Sequence, residues 1–460
     1  MTGQIQVCKL GQRVGATYSA IREAIEPEAI ARLLAEEVFA PLQPLVQVKR
    51  VKRKSIRYEP PRVVWSTYEV RLELPEGGEV RPLFWTKAYF SEADCQNYSR
   101  RIGGWLSLPD GNPLDPTGFS RFFPDLNLFL FSFPRDPVFP ALGTVFDPHE
   151  MQPVLAEHYR HLRPEVEVDA VECLRVRYLP EISCIARYEG YSRGQNEVCI
   201  YGKVQHSRRG AFTYDVMRAL WDLPARAAGE LVLAEPLAYY PEYDLLLQSE
   251  LPGEEIPGDR HSEVFIAQCM AAGRAIGHIH NSEIAVGQEH SFEYEVGRLH
   301  DRMEQFKMSS PELYFMVRDL ARQIEARARR VPAEVPVPSH GDYKYNQFLY
   351  DGQRFGMIDV EFFVQAEPSF DLGKYCAHLV PSSPKHWSDS VQAEKARRAF
   401  LDAYLEVRPD YDGARFAIYE ALALATRTIV VVWAQSTNWE HTAQSMIALA
   451  YERLKTPWGA

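Results

Sequence analysis

Ser339-His340-Gly341-Asp342-Tyr343-Lys344-Tyr345-Asn346-Gln347, followed by Ile358-Asp359, is the stretch on which the fold of this chain turns. It sets a carboxylate, an ammonium and an amide in one short loop, with a second carboxylate downstream. Phe348-Leu349-Tyr350 and Phe355-Gly356-Met357-Ile358 have strand character, and Asp351-Gly352 between them is a two-residue turn signal. With Tyr350 paired to Gln353, Asp359 falls opposite Lys344 and folds back beside the loop that carries Asp342. Two acids beside a cation suit phosphoryl transfer from Mg·ATP, where positioning and charge neutralisation do most of the catalysis.

This segment resembles the catalytic segment of the aminoglycoside phosphotransferase and choline kinase group, within the protein-kinase-like superfamily. There the loop has the pattern H-x-D-x-x-x-x-N and an I-D metal site follows it. The resemblance implies that Asp342 accepts or orients the proton of an attacking hydroxyl and that Asp359 binds Mg²⁺. It also implies that His340 shapes the loop and that Lys344 is aimed at the γ-phosphate. The position five after Asp342 is Gln347, with Asn346 one step earlier. Gln347 keeps an amide oxygen on a longer arm and is the metal ligand expected by register; a local bulge would present Asn346 instead. Phe370-Asp371-Leu372 completes the pattern, and the resemblance makes Asp371 architectural, an acceptor of backbone N–H groups from the catalytic loop.

Upstream, the resemblance makes residues 245–253 a hinge strand whose backbone borders adenine, with Gln248, Glu250 and Leu251 in the nucleotide site. Tyr201-Gly202-Lys203-Val204 resembles the strand whose lysine holds the α- and β-phosphates. A lysine in an apolar strand needs a counter-charge, because burying it unpaired is expensive. Between Lys203 and Leu231 the only glutamate is Glu230, beyond the helix expected over 213–221, so Asp215 in that helix is the candidate partner. The bland alternative for Lys203 is an edge lysine that discourages sheet aggregation. The turn at 177–183, where a phosphate-covering loop belongs, contains no glycine.

The N-terminal part repeats this plan. Arg57-Tyr58-Glu59-Pro60 recurs as Arg177-Tyr178-Leu179-Pro180, Trp85-Thr86-Lys87-Ala88 as Tyr201-Gly202-Lys203-Val204, and residues 125–134 as 243–252. Three anchors in order with near-equal gaps indicate a duplicated lobe. Only the second copy runs on through a hinge into helices. Lys87 is therefore expected to stay out of the nucleotide site, its loss leaving ATP affinity within about twofold.

The remaining patterns set the frame. At 460 residues, two or three domains are the natural prior. The formal net charge of −11 argues against a general nucleic-acid binder. Residues 49–54 are basic at the edge of a strand, a solvated face more readily than a polyanion site. Seven scattered cysteines (Cys8, Cys95, Cys173, Cys184, Cys199, Cys269, Cys376) form no C-x-x-C pair and suggest neither a zinc site nor a disulfide framework. Neither a secretory pattern nor a membrane-length apolar run is evident, so no membrane partner is expected and the cytoplasm is the default location. Helical spacing is expected over 17–41 with a break near Pro27, from Ser262, through Leu313, Val317, Leu320 and Ile324, over 391–407, and over 419–454 with a break near Asn438. Trp433, Trp439 and Tyr451 lie where the resemblance places an acceptor site, although aromatics at helical spacing are more often core.

The expected fold class is α+β: a bilobal protein-kinase-like fold with a small β-rich N-lobe and a helical C-lobe, preceded by a β-rich domain that looks like a duplicated N-lobe. The domains are 1–165, a cap-like region; 166–252, the N-lobe with its hinge; and 253–460, the C-lobe. Length and N-terminal region are also similar to bacterial maltokinases, which carry an N-terminal cap. The expected activity is Mg·ATP-dependent transfer of the γ-phosphate to a hydroxyl of a sugar, aminoglycoside or amino alcohol. A nucleotidyl (AMP) transferase of the same fold, or a catalytically silent nucleotide-binding scaffold, are the alternatives.

Overall fold

The structure, a computed structural model, describes residues 18–455 apart from 41–45, 60–61, 107–113, 115–117, 207–208, 257–261, 286, 305–306, 308–309, 381–389 and 435–437. Cys8 lies outside the described residues, and none of the other six cysteines is in a disulfide among the described residues. The chain divides into two compact units: Met1–Val198 with Lys203–His206 and Glu242–Asp244, and Cys199–Gly202 with Ser207–Pro241 and Leu245–Ala460.

In the first unit, α1 (Tyr18–Ala24) and α2 (Pro27–Leu33) are separated at Pro27, and α2 runs on into a wider π-type turn, Leu34–Phe39. Ile21, Ile25, Ile30, Leu34 and Val38 recur at helical spacing and are buried against Val64, Tyr68, Val70, Leu72, Phe84 and Ala88 of a sheet. That six-stranded sheet has a main path of β1 (Gln47–Glu59), β2 (Val63–Glu73), β3 (Leu83–Tyr89), β4 (Ser120–Phe123) and β5 (Leu128–Ser132), in the order β1-β2-β3-β5-β4, with the two-residue strand Glu79–Val80 paired to β2 off this path and α3 (Glu92–Arg101) between β3 and β4 in sequence. The basic run sits on the edge strand β1. Lys49, Lys54 and Arg53 are ion-paired with Glu73, Glu69 and Glu26, the bland arrangement of a solvated edge. Residues 134–148 contain α4 (Leu142–Val145) and lead into α5 (Pro148–Leu162).

A further sheet, of five strands, comprises β6 (Ala170–Leu179), β7 (Ser183–Ser192), β8 (Gln195–Gln205), β9 (Pro236–Tyr240) and β10 (Leu245–Ser249). Its order is β6-β7-β8-β10-β9, first-second-third-fifth-fourth, the order of the main path of the N-terminal sheet. Here too a helix, α6 (Arg209–Trp221), lies between third and fourth strands in sequence, followed by the short α7 (Pro224–Ala227). The anchors noted in the sequence fall at matching places. Arg57 and Arg177 are near the ends of first strands, and Lys87 and Lys203 are on third strands. Lys203 is thus on a central strand, which removes the edge-lysine reading.

The second unit is mainly helical. Ser262 caps α8 (Glu263–His280) by accepting the Phe265 N–H at 3.1 Å. There follow α9 (Phe292–Met303), α10 (Pro311–Ala328), α11 (Ser369–Leu379), α12 (Ser390–Val407), α13 (Phe416–Ala434) and α14 (Trp439–Lys455). Asn438, in a left-handed conformation (φ +61°), separates the last two. Leu313, Val317, Leu320 and Ile324 are buried with the apolar face of α13 and α14, as their 4-3-4 spacing requires. Two small sheets lie among the helices. One pairs β11 (Glu254–Glu255) with β14 (Phe348–Tyr350) and β14 with β15 (Phe355–Met357); the other orders β12 (Glu289–His290), β16 (Val364–Ala366) and β13 (Val337–Ser339).

Candidate active site

The catalytic loop leaves β13 at Ser339 and is clamped at once. Asp371, fully buried in the first turn of α11, accepts the His340 N–H on one oxygen at 2.6 Å and the Gly341 N–H on the other at 2.9 Å. His280 Nε2 lies 3.4 Å from the same carboxylate, and its Nδ1 is 3.0 Å from the Tyr404 hydroxyl. Burial opposes ionisation of Asp371, but the His280 and His340 side chains and the Gly341 N–H outweigh it and hold its pKa below the usual value. His340 is fully buried, tilted against Tyr343, and drawn below the ordinary imidazole pKa by that burial. His280 thereby belongs to a buried network with Asp371 and Tyr404.

Gly341 shows why the loop can bend here. Its φ is +86°, and a Cβ would lie 1.8 Å from the Phe362 carbonyl oxygen. The turn leaves Asp342 part-exposed, with Lys344 Nζ 2.6 Å from its Oδ2. Residues 345–347 then form one 3₁₀ turn. Gln347 is buried and its Oε1 accepts the Lys344 N–H at 3.0 Å, while Asn346 is exposed. The amide expected to hold a metal therefore also fixes the loop.

The hairpin has a different register from the one expected. Tyr350 faces Phe355, not Gln353, so residues 351–354 close it rather than two residues. Asp351 is the cause: its Oδ1 accepts the N–H groups of Gln353 and Arg354 at 2.8 and 2.7 Å, a side-chain-capped turn that competes with the tighter one. The ladder continues with the Ile358 N–H donating to the Gln347 carbonyl at 2.9 Å. With this register Asp359 is not the partner of Lys344 that a Tyr350–Gln353 pairing would make it. Asp359 is itself left-handed (φ +67°), a conformation uncommon outside glycine and tolerated by aspartate.

Lys374 was not singled out by sequence. One turn of α11 beyond Asp371, its ammonium donates to the Gly341 carbonyl and lies 4.2 Å from the Phe370 ring centroid. Burial lowers its pKa, against the pull of Glu295, Asp342 and Asp371. Gln268 of α8 was also missed; it donates to the Tyr345 carbonyl at 2.6 Å. The i, i+3 spacing of Asp371 and Lys374 was the available signal, since it puts both on one helix face.

The hinge segment meets the hairpin directly. β11 pairs Glu254 with Tyr350 and Glu255 with Leu349, and the Leu251 side chain packs over Gly356. Leu251 is buried, Gln248 half-buried and Glu250 exposed. Lys203 is half-buried on β8 and Asp215 is exposed on α6. Trp439 packs on the helical core, the Tyr451 hydroxyl donates to Asp319 at 2.7 Å, and the Trp433 side chain lies outside the described residues.

Among the described residues no three His, Cys, Asp or Glu side chains gather into a metal cage. Asp359 carries a carboxylate and Gln347 an amide oxygen, hard donors of the kind Mg²⁺ takes. No described helix is long and apolar enough to cross a membrane.

Residues 203–417 match the model of the phosphotransferase enzyme family. The resemblance expected from the catalytic loop is thereby borne out, and with it the enzyme class: a phosphotransferase with an alcohol group as acceptor. No curated protein sequence matches this chain. Among solved structures, a choline/ethanolamine kinase family protein from Mesorhizobium loti is 15% identical over 67% of this chain and 96% of its own, with a TM-score of 0.43. Choline kinase from Cryptosporidium parvum is 13% identical over 66% of this chain and 95% of its own, with a TM-score of 0.48. A spectinomycin phosphotransferase in complex with ADP and spectinomycin is 10% identical over 66% of this chain and 99% of its own, with a TM-score of 0.43.

Proposed function

We propose that the protein is an Mg·ATP-dependent small-molecule kinase that phosphorylates a hydroxyl of a sugar, aminoglycoside or amino alcohol. The observation that carries this reading is the loop clamped by Asp371, which presents Asp342 in contact with Lys344. Asp342 orients the acceptor hydroxyl and takes its proton; Lys344, in contact with that carboxylate, would supply positive charge to the transferring phosphoryl group. His340 is a positioning residue, neutral and packed, that lends shape rather than a proton. Asp359 and Gln347 are the residues that would hold Mg²⁺, which when bound supplies neutralisation of phosphate charge. Lys203, Asp215, Gln248, Glu250 and Leu251 are assigned to the nucleotide, and the relative in complex with ADP agrees with that class of cofactor.

The equal strand orders of the two sheets support a duplicated N-lobe, the first copy serving as a cap and the second as the nucleotide lobe. On this reading residues 1–165, 166–252 and 253–460 are cap, N-lobe and C-lobe. The deciding experiment is a Mg·ATP consumption screen across sugars, aminoglycosides and amino alcohols, with Asp342→Asn as control and mass spectrometry of the product. A mass gain of one phosphate, absent with the variant, is the expected result; transfer of AMP, or consumption unaffected by the substitution, overturns the proposal.

A further inference from the structure

Trp65 and Lys87 are cross-strand neighbours on β2 and β3, on the face of the N-terminal sheet turned away from the α1 and α2 core. Lys87 is only 5% exposed. Its ammonium lies 3.9 Å from the Tyr98 ring centroid, 5.1 Å from that of Trp65 and 5.4 Å from that of Tyr89. An ammonium among aromatic faces is partly compensated, yet burial this deep demands an anion. The anion is Glu181. Its Oε2 is 2.5 Å from Lys87 Nζ and accepts the Trp65 indole N–H at 3.1 Å, while its Oε1 accepts the Tyr98 hydroxyl at 2.6 Å.

Glu181 is the middle residue of the β6–β7 turn, the glycine-free turn that stands where a phosphate-covering loop is expected. Its backbone is left-handed (φ +60°), the region that favours glycine. The backbone is pinned as well as the side chain: its N–H donates to Asp136 at 2.9 Å, and buried Asp136 also accepts the Tyr178 hydroxyl at 2.7 Å and the Val138 N–H at 2.8 Å. Strain of this kind persists only where the surroundings over-determine it, and here four hydrogen bonds do so. Burial opposes ionisation of Glu181, but Lys87, Tyr98 and Trp65 outweigh it and keep the carboxylate charged.

We propose that Glu181 is a positioning residue: docked on Lys87 of the N-terminal sheet, it holds the β6–β7 turn in one conformation and thereby sets how tightly the protein binds Mg·ATP. The inference rests on the reading of the second sheet as the nucleotide lobe. A glycine-rich turn reaches phosphates through its own freedom; this turn, Pro180-Glu181-Ile182, is instead set in advance from outside. Lys87, a counter-ion rather than a phosphate ligand, is nonetheless required, since its loss strands a buried carboxylate. That revises the expectation that Lys87 is nearly irrelevant to ATP affinity.

The test compares full-length wild type with Glu181→Gln, which removes the charge, and Glu181→Gly, which removes the carboxylate while suiting the left-handed backbone. Thermal melts check folding, hydrogen exchange of peptides spanning 177–184 reports the turn, and a fluorescent ATP analogue with Mg²⁺ reports affinity. Expected are exchange about tenfold faster or more in this turn, with β2 unchanged, and nucleotide affinity about five- to tenfold weaker in Glu181→Gly, with smaller changes in Glu181→Gln. Wild-type exchange in both folded variants overturns the proposal. So does faster exchange with unchanged affinity, provided that Lys203→Ala weakens the same titration. If Lys203→Ala leaves affinity intact, the nucleotide-lobe reading fails instead, and the exchange data still decide whether Glu181 holds the turn.

Discussion

Lys344 lies two residues beyond Asp342 and reaches back to its carboxylate, Nζ to Oδ2, at 2.6 Å. A part-exposed pair of this kind is worth little for stability, so its presence is better explained by chemistry than by folding. Asp342→Asn is expected to lower turnover by about 10²–10⁴-fold, the usual scale for loss of a general base, while Mg·ATP affinity stays within a few-fold. Lys344→Ala is expected to lower turnover less. Steady-state kinetics with nucleotide titration on both variants check this; wild-type turnover in Asp342→Asn removes it from the mechanism.

Asp359→Asn is expected to raise the Mg²⁺ concentration needed for half-maximal activity more than Gln347→Ala does, because it removes a full charge. Gln347→Ala is expected to lower the melting temperature as well, since its Oε1 accepts the Lys344 N–H. The exposed Asn346 tests the loop: a larger metal effect from Asn346→Ala than from Gln347→Ala would transfer the ligand role to it.

Gly341→Ala should be damaging without touching any charged group. The new methyl meets the Phe362 carbonyl oxygen, and the residue must keep φ +86°. A loss of more than about 1 kcal/mol, read from denaturant unfolding, is the expected cost of an alanine in such a position. Activity should fall further than stability, because relief requires the loop to move away from Phe362.

Acid should unfold the protein in two stages. Burial draws the His280 and His340 imidazoles below 6.5, so below that pH the unfolded chain takes up protons that the folded chain refuses. Stability therefore falls as pH drops from 6.5 toward their lowered values, by up to about 1.4 kcal/mol per pH unit for each histidine. Asp371, held below its ordinary 3.8, contributes stability that is complete above that value and lost as pH falls through its own lower pKa. Denaturant melts between pH 8 and 5 on wild type and His280→Gln check the first stage; an equal slope in the variant would remove His280 from it.

Much of this was legible in the sequence because the decisive signals are local. The Asp371 clamp is what the family resemblance carried by His340-Gly341-Asp342 and Phe370-Asp371-Leu372 implies, and helix stripes such as Leu313 to Ile324 follow from periodicity alone. The hairpin register was not legible. Asp351-Gly352 is a genuine turn signal, but Asp351 spends its carboxylate on Gln353 and Arg354, and a side-chain cap can select either turn length. Nor could sequence find Glu181 as the partner of Lys87. The two are 94 residues apart, and nothing in Pro180-Glu181-Ile182 distinguishes a docked glutamate from a solvated one. Lys374 fell between these cases, its helix face predictable and its carbonyl partner not.

The pairing of β11 with β14 ties segments far apart in sequence to one ruler. Glu254 and Glu255 run antiparallel to Tyr350 and Leu349, and Gly253 crosses Tyr350 so closely that a Cβ would lie 2.6 Å from its carbonyl carbon. Side chains in a strand alternate between faces, so one residue inserted or deleted at 251–253 would either flip the two glutamates or pull the ribbon that ends in Ile358-Asp359. Chain length at this crossing is consequently among the least negotiable dimensions of the molecule. Epitope tags, loop grafts and circular permutations belong in the solvent-facing loop at 351–354, not here.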